Sequence, residues 1–279
     1  MKVAPLQKAG GQPLGARVTG VDALTLDSNE LRTLVTEHQV VAFDAQSIEP
    51  ETLTELASRL GQPAAYPFTP PIDGYPHVCE VRKEPDDEAN FGGAWHTDSS
   101  YLPQPPAYTL LYALDVPEQG GDTLFADGYA AAAALSEGMR RLLAELRGLN
   151  TSSLVHSDEG EYSAVGQFSN TKQFDAETSA LHPVLRRHPL SGHTALYVSV
   201  IHTSHFDGMT RAESAPIISY LQELITNADN VMRLRWHPGT LAIWDNRCLQ
   251  HNALNDYAGK RRLMHRVIVE GEAPMSAQS

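Results

Sequence analysis

The segment Gly92–Tyr101, GGAWHTDSSY, sets a histidine and an aspartate two positions apart, His96 and Asp98. In an extended strand, side chains at i and i+2 project to the same side. The pair could therefore present an imidazole nitrogen and a carboxylate oxygen to one interior point. A second histidine would complete a 2-His-1-carboxylate facial triad, which holds Fe(II) and leaves coordination positions open for substrate and O2. Taken alone, an H-x-D pair in a chain with 12 histidines is weak evidence for a metal.

The completing residues are sought downstream, in GTLAIWDNRCLQHNALNDYAGKRRLMHRVIVEG, residues 239–271. A strand over Leu241–Trp244 runs into a polar turn, His251 follows, and a second strand carries Arg262 and Arg266. Trp244 and Asn246 are expected to shape the turn beneath His251 and so support it from behind. The two arginines have an even spacing and share a strand face; His265 falls on the other. Buried arginine requires an anionic partner. A strand edge with solvated charges satisfies the same spacing, and the residues by themselves leave the two readings level. His202 and His205, in VIHTSHF, could line the mouth of a pocket, and His156 falls in a polar stretch that reads as a lid or surface loop. His38 reads as a histidine at a helix end, where the dipole favours it.

The elements that would hold these residues follow from periodicity. Ser28–His38 repeats apolar residues at Leu31, Leu34 and Val35, the helical period. Val40–Phe43 (VVAF) reads as a buried strand. Residues 47–61 form a helix with Ser47 as N-cap, Pro50 in the first turn and Gly61 as the stop. Residues 135–148 and 210–226 form two more, the last with Thr210 and Glu213 in capping-box spacing and Pro216 close enough to the start to be tolerated. YTLLYAL, TALYVSV, VMRLRWH, TLAIWD and LMHRVIVEG are strands. Many short strands with irregularly interspersed helices predict an antiparallel sandwich or jelly roll decorated with helices. An all-parallel α/β sheet does not fit that order.

Composition narrows the function classes. The chain has 279 residues, 42% hydrophobic and 20% charged, as in an ordinary soluble protein. No linker-like boundary appears, so residues 1–279 are expected to form a single domain. A net charge of −13 disfavours nucleic acid or an anionic membrane as partner, because both require a positive footprint. The N-terminal residues contain no apolar run of the signal-peptide kind, and no stretch reaches the ~20 apolar residues of a membrane span. Cys79 and Cys248 make no disulfide framework and read as free thiols, consistent with a cytoplasmic protein. The oligomeric state is left open, homo-oligomers included.

Four stretches, WHTDSSY, PEQGGDTLFAD, LHPVLRRHPLSGHTALYV and WDNRCLQHNALNDYAGKRRLMHRV, resemble in register the taurine/2,4-dichlorophenoxyacetate dioxygenase family of Fe(II)- and 2-oxoglutarate-dependent oxygenases. The opening residues 13–63 are similar as well, so the resemblance covers nearly the whole chain. It implies a mainly β fold with flanking helices (α+β) around a double-stranded β-helix, or jelly-roll, cupin-like core. Residue by residue, His96, Asp98 and His251 match the iron ligands. Thr123 matches the hydroxyl that binds a 2-oxoglutarate carboxylate, and Arg262 the arginine that pairs with its distal carboxylate. A planar guanidinium fork explains arginine there, since lysine would not reproduce a bidentate pair. Arg266 matches the position that holds the sulfonate of taurine.

Two substrate contacts of the taurine enzyme are missing: Tyr66 stands in place of a histidine and Gly92 in place of an asparagine. The stretch between Asn150 and His182 is also shorter. These departures argue against taurine, while Arg266 still implies an anionic group on the substrate, most simply a carboxylate. Tyr66, Tyr101, Phe125 and Tyr197 are candidate pocket walls, although each alone is more often core packing. The resemblance implies a dioxygenase using Fe(II), 2-oxoglutarate and O2, releasing succinate and CO2 and hydroxylating a C–H bond; desaturation or rearrangement stays open. Asp98 as carboxylate ligand argues against a halogenase. The competing readings are a jelly-roll metal-dependent lyase or hydrolase, which needs no Thr123–Arg262 pair, and a non-catalytic jelly roll, which usually has a broken triad.

Overall fold

The structure, a computed structural model, describes residues 1–66, 68–157, 160, 163, 165 and 178–278. Its main sheet has nine strands. In spatial order, eight of them are Lys2–Gln7, Pro13–Thr19, Val40–Phe43, Leu241–Asp245, Tyr108–Asp115, Arg262–Val269, Tyr75–Lys83 and Pro71–Ile72; the ninth, Pro63–Ala64, pairs with Arg262–Val269. All neighbours are antiparallel except Pro13–Thr19 against Val40–Phe43. A smaller sheet sets Thr123–Asp127 between Val231–Leu234 and Leu249–Ala253, again antiparallel. Strands distant in sequence are thus neighbours in space, as a jelly roll requires.

The alternation of side chains explains why the central strands read as continuous apolar runs. Val41, Phe43, Leu110, Leu241, Ile243 and Val267 form one cluster with Leu31, Val35, Leu53 and Leu56, the buried faces of two helices. Val40, Ala42, Leu111, Ala242, Trp244 and Met264 point the other way, and pack with Phe125, Met232, Leu234 and Leu249 of the smaller sheet. The centre of the main sheet is therefore buried on both faces, which removes the polar positions expected of a half-exposed strand. Trp244 is the largest side chain fully enclosed between the sheets.

The first helix spans Ser28–His38 as its period predicts, with Asp27 and Glu30 closing a capping box. Thr210 and Glu213 do the same for Arg211–Ile225. Three expectations are corrected. Ser47 does not cap the second helix, which runs Pro50–Ser58 from Glu49, with Pro50 occupying the first-turn position whose N–H is unbonded anyway. The helix expected over residues 135–148 is confined to Glu137–Ala144, because Gly148 already belongs to the strand Arg147–Thr151. The TALYVSV strand stops at Leu196. Both cysteines are free and buried, and no helix among the described residues is long and apolar enough to cross a membrane.

Candidate active site

His96 and Asp98 do not lie in a strand. His96 makes a single antiparallel bridge with His251, its N–H and C=O exchanging bonds of 3.0 and 2.8 Å with that residue's backbone. The chain then turns at once, with Ser99 in the left-handed region at φ 47°. A non-glycine residue there costs on the order of 1–3 kcal/mol, tolerated where the surroundings fix the turn. The bridge itself brings the two histidines together, and their ring centroids are 4.2 Å apart. His96, Asp98 and His251 are all buried, with one ligand atom from each within 4.8 Å of the others. Asp98 Oδ1 is 3.8 Å from Nε2 of both histidines.

The protonation states suit a metal. His96 Nδ1 lies 2.7 Å from the Ala94 carbonyl, so Nδ1 donates and the Nε2 lone pair faces Asp98. Burial lowers the pKa of His96, with Asp98 only partly offsetting it. Burial and the neighbouring His96 bring His251 down to about 3. Both imidazoles are neutral near pH 7, the ligating form. Burial pushes the Asp98 carboxyl up, but Arg266, the two histidines and a hydrogen bond from Thr109 outweigh it and hold Asp98 well below the usual carboxylate range. Two imidazole nitrogens and one carboxylate oxygen are the donor set of non-haem Fe(II).

The even spacing of Arg262 and Arg266 places both on the strand face toward the smaller sheet, beside Met264, and both are buried. The solvated-edge reading is thus excluded. Both line one cavity with the triad, Thr123, Trp244 and Gly92. Arg262 Nε donates to the Gly121 carbonyl at 3.2 Å, and its guanidinium lies 5.8 Å from the Trp236 ring centroid. Arg262 Nη2 is buried and has no hydrogen-bond partner among the described residues. Trp236 Nε1 donates to Thr123 Oγ1 at 2.9 Å, which leaves the threonine hydroxyl proton to be given elsewhere. An orphaned guanidinium nitrogen and a hydroxyl donor on one cavity fit the carboxylate end of an anionic cosubstrate. Gly121 has φ +71°, and a Cβ there would come within 3.3 Å of Arg262 Cδ and Tyr257, so the close approach needs glycine.

Arg266 Nη2 lies 2.7 Å from Asp98 Oδ1, while Nη1 has no partner among the described residues. Its guanidinium sits 4.6 Å from the Tyr66 ring centroid and 5.6 Å from that of Phe91. Beyond these rings, Phe68 stands edge-on to Tyr66 and Tyr101 and stacks on His156 at 3.8 Å. His202 accepts or donates a 2.9 Å bond with Ser100 and lies 6.1 Å from His96 and 5.2 Å from Tyr101, ring to ring. Of the expected residues, His96, Asp98, His251, Thr123, Arg262, Arg266 and Gly92 therefore share one cavity, with Tyr66 against Arg266 and Tyr101 in the aromatic cluster next to it.

Two expected walls lie elsewhere. Tyr197 packs on the Arg186 guanidinium at 4.8 Å and against His182, outside the cavity lining. Phe125 lies behind the site as core, packed against both Trp244 and the His251 ring, outside the cavity lining. His156 is half-buried at the end of the short helix Ser153–His156, where it stacks on Phe68, and burial brings its pKa down to about 4. His205 bonds its neighbour Ser204. Most of the stretch between Asn150 and His182 is outside the described residues. Sequence reasoning missed Thr109, Trp236 and Phe91. Phe91 is adjacent to Gly92 and could have been read from it, whereas Thr109 and Trp236 sit in ordinary strand or loop sequence with no local signal.

A buried facial triad between two jelly-roll sheets, with two cavity-facing arginines, defines the class of non-haem iron dioxygenases. Residues 2–268 match the family model described as taurine catabolism dioxygenase TauD, TfdA family, and the chain belongs to that family. It is a 2-oxoglutarate-dependent dioxygenase, of a class that uses Fe(II), 2-oxoglutarate and O2. The chain is 31% identical over 277 residues to an alpha-ketoglutarate-dependent sulfate ester dioxygenase of Pseudomonas putida, covering 94% of this chain and 88% of that one. It is 29% identical over 294 residues to the alpha-ketoglutarate-dependent 2,4-dichlorophenoxyacetate dioxygenase of Cupriavidus pinatubonensis, covering 96% of each. A solved structure of a putative alpha-ketoglutarate-dependent taurine dioxygenase from Burkholderia xenovorans superposes with a TM-score of 0.82 at 26% identity, over 100% of this chain and 95% of that one.

Proposed function

We propose that this chain oxidises, most simply by hydroxylation, an unactivated C–H bond of a small monoanionic substrate with an apolar body. In this reading His96, Asp98 and His251 hold Fe(II), Thr123 and Arg262 hold the distal carboxylate of 2-oxoglutarate, and Arg266 receives the substrate anion. The iron, when bound, supplies O2 activation coupled to conversion of 2-oxoglutarate into succinate and CO2. The protein's share is placement. Arg262 fixes the cosubstrate from the far end, Arg266 fixes the substrate from the other, and the sheets exclude water between them.

The observation that carries this reading is the charge within the cavity. Two buried guanidiniums face a single carboxylate, Asp98, and a bound divalent metal would bring the net charge of the cavity to three positive. Uncompensated buried charge is costly. A dianionic 2-oxoglutarate and a monoanionic substrate neutralise it. The rings of Tyr66, Phe91, Phe68 and Tyr101 supply an apolar wall for the rest of the molecule. Taurine, with an ammonium close to its sulfonate, has no such body. Carboxylates are the first class to try; sulfate esters, sulfonates and aryloxyacetates follow from what the relatives' names say they act on. We place the enzyme in the cytoplasm as a single domain.

The test is anaerobic titration of Fe(II) into the protein with 2-oxoglutarate, followed by the weak visible charge-transfer band of the chelate. A band in the wild type that is lost or much weakened in Arg262→Ala supports the assignment. No band and no 2-oxoglutarate binding would overturn it in favour of a lyase or binding protein. Screening carboxylates, alkyl sulfates and sulfonates for substrate-stimulated succinate release then identifies the head group. Arg266→Gln should raise KM for the anionic substrate while leaving its 2-oxoglutarate affinity within a few-fold of wild type.

A further inference from the structure

We propose that Thr109 is a positioning residue for the metal-binding carboxylate, and that a one-way hydrogen-bond relay from the Trp244 indole holds it in that role. This rests on the metal assignment above. The relay begins at a group that can only donate: indole Nε1–H has no acceptor capacity. Trp244 Nε1 lies 2.9 Å from Asn246 Oδ1, so the amide oxygen must face the indole and the amide nitrogen must face away. That nitrogen, Nδ2, donates to Thr109 Oγ1 at 2.9 Å. A hydroxyl has one proton, and Thr109 directs it to Asp98 Oδ2 at 2.5 Å. Each step fixes the next, and the relay ends on an ionised carboxylate, the strongest acceptor available.

Its members are sealed from solvent, with Thr109 at 0%, Asn246 at 1%, Trp244 at 2% and Asp98 at 3% exposure. Asn246 also ties the two chain segments that carry the triad. Its carbonyl accepts from Thr97 Oγ1 at 2.7 Å, between His96 and Asp98, and it stands in the turn that leads into the His251 strand. With Oδ2 engaged by Thr109, Oδ1 is the oxygen 3.8 Å from Nε2 of both His96 and His251, and it also lies 2.7 Å from Arg266 Nη2. Held in this way, the carboxylate would offer a metal one oxygen, as a facial triad with open positions needs. A valine would fill the same interior strand position with the same shape, so packing alone gives no reason for the hydroxyl.

The test uses Co(II), whose visible spectrum reports the ligand field, titrated into the metal-free full chain without cosubstrate. Thr109→Val is expected to weaken Co(II) binding about tenfold and to change the shape of its visible bands. Thr109→Ser should restore both. Asn246→Asp, which presents an acceptor where the relay needs a donor, should resemble Thr109→Val at almost no change in volume. Wild-type affinity and spectrum in Thr109→Val would overturn the proposal. So would a serine variant as defective as the valine, because the methyl group would then be what matters. Thr109→Cys, with a much weaker donor of similar size, gives the same comparison should the valine variant not fold. If the wild type itself does not bind Co(II), the triad assignment has failed rather than the relay.

Discussion

At the scale of single residues, the site is a set of buried polar groups whose partners are deliberately incomplete. Among the described residues, Arg262 and Arg266 each keep a buried guanidinium nitrogen without a hydrogen-bond partner, as Arg186 does away from the cavity, whereas buried Asp245 takes three bonds from Arg247 and one from His188. A charge-assisted hydrogen bond contributes about 1.5–3 kcal/mol, or roughly ten- to a hundredfold in affinity. Arg262→Ala should therefore raise the 2-oxoglutarate Kd by at least about tenfold, as read from titration of the chelate band. Arg262→Lys should recover only part of that loss, since an ammonium cannot form the fork. A fully functional lysine variant would mean that charge alone, without bidentate geometry, holds the cosubstrate. Gly92 has φ +77°, and a Cβ there would approach His96 Cε1 to 3.4 Å. The absence of a side chain at this position thus opens room beside the His96 ring that an asparagine would fill.

At the scale of elements, each central strand has two jobs on alternating residues. In Leu241–Asp245, Ile243 faces the helices while Trp244 faces the cavity. Ile243→Ala should cost about 2–5 kcal/mol of stability, the usual price of deleting a core aliphatic side chain. It should leave Co(II) affinity unchanged, measured by denaturant unfolding and metal titration on the same variant. A large loss of metal affinity would show that the two faces are mechanically coupled through the strand. The strand Arg262–Val269 divides its labour in the same way, with Arg262, Met264 and Arg266 toward the smaller sheet and Val267 toward the helices. The helix start at Thr210 is a separate device: its side chain and Glu213 close the capping box, so Thr210→Ala should cost about 1 kcal/mol with no effect on the site.

For the whole molecule, the buried histidines make stability depend on pH. Burial lowers the pKa of His96 and His202, and brings His251 to about 3 and His156 and His182 to about 4. Below about pH 6.5 the unfolded chain takes up protons that these imidazoles refuse while folded. Stability is then fully present above that pH and is lost as pH falls toward the folded values, each group contributing up to about 1.4 kcal/mol per pH unit. Asp98, held low by Arg266 and its other partners despite burial, adds a further loss only below the ordinary carboxylate range. The urea midpoint of the metal-free protein should accordingly drop between pH 7.5 and pH 5.5. An unchanged midpoint would contradict the burial of these rings.

The sequence by itself determined the chemical inventory: His96, Asp98, His251, Thr123, Arg262 and Arg266 were legible from residue type, spacing and family resemblance, as were the capped helices and the central strands. These signals are local, carried by periods and motifs a few residues long. The even spacing of Arg262 and Arg266 stated that they share a face, but only the tertiary structure decided that this face is enclosed between two sheets. It also replaced the assumed His96–Asp98 strand with one backbone bridge to His251, a contact 155 positions away. Tyr197 and Phe125 failed as pocket walls because an aromatic residue's neighbours are set by strand register and sheet order, not by its own type. Thr109 and Asn246 were silent or half-read for the same reason. A donor's direction depends on what stands opposite each polar atom, and that is settled only when strands from distant parts of the chain come to lie side by side.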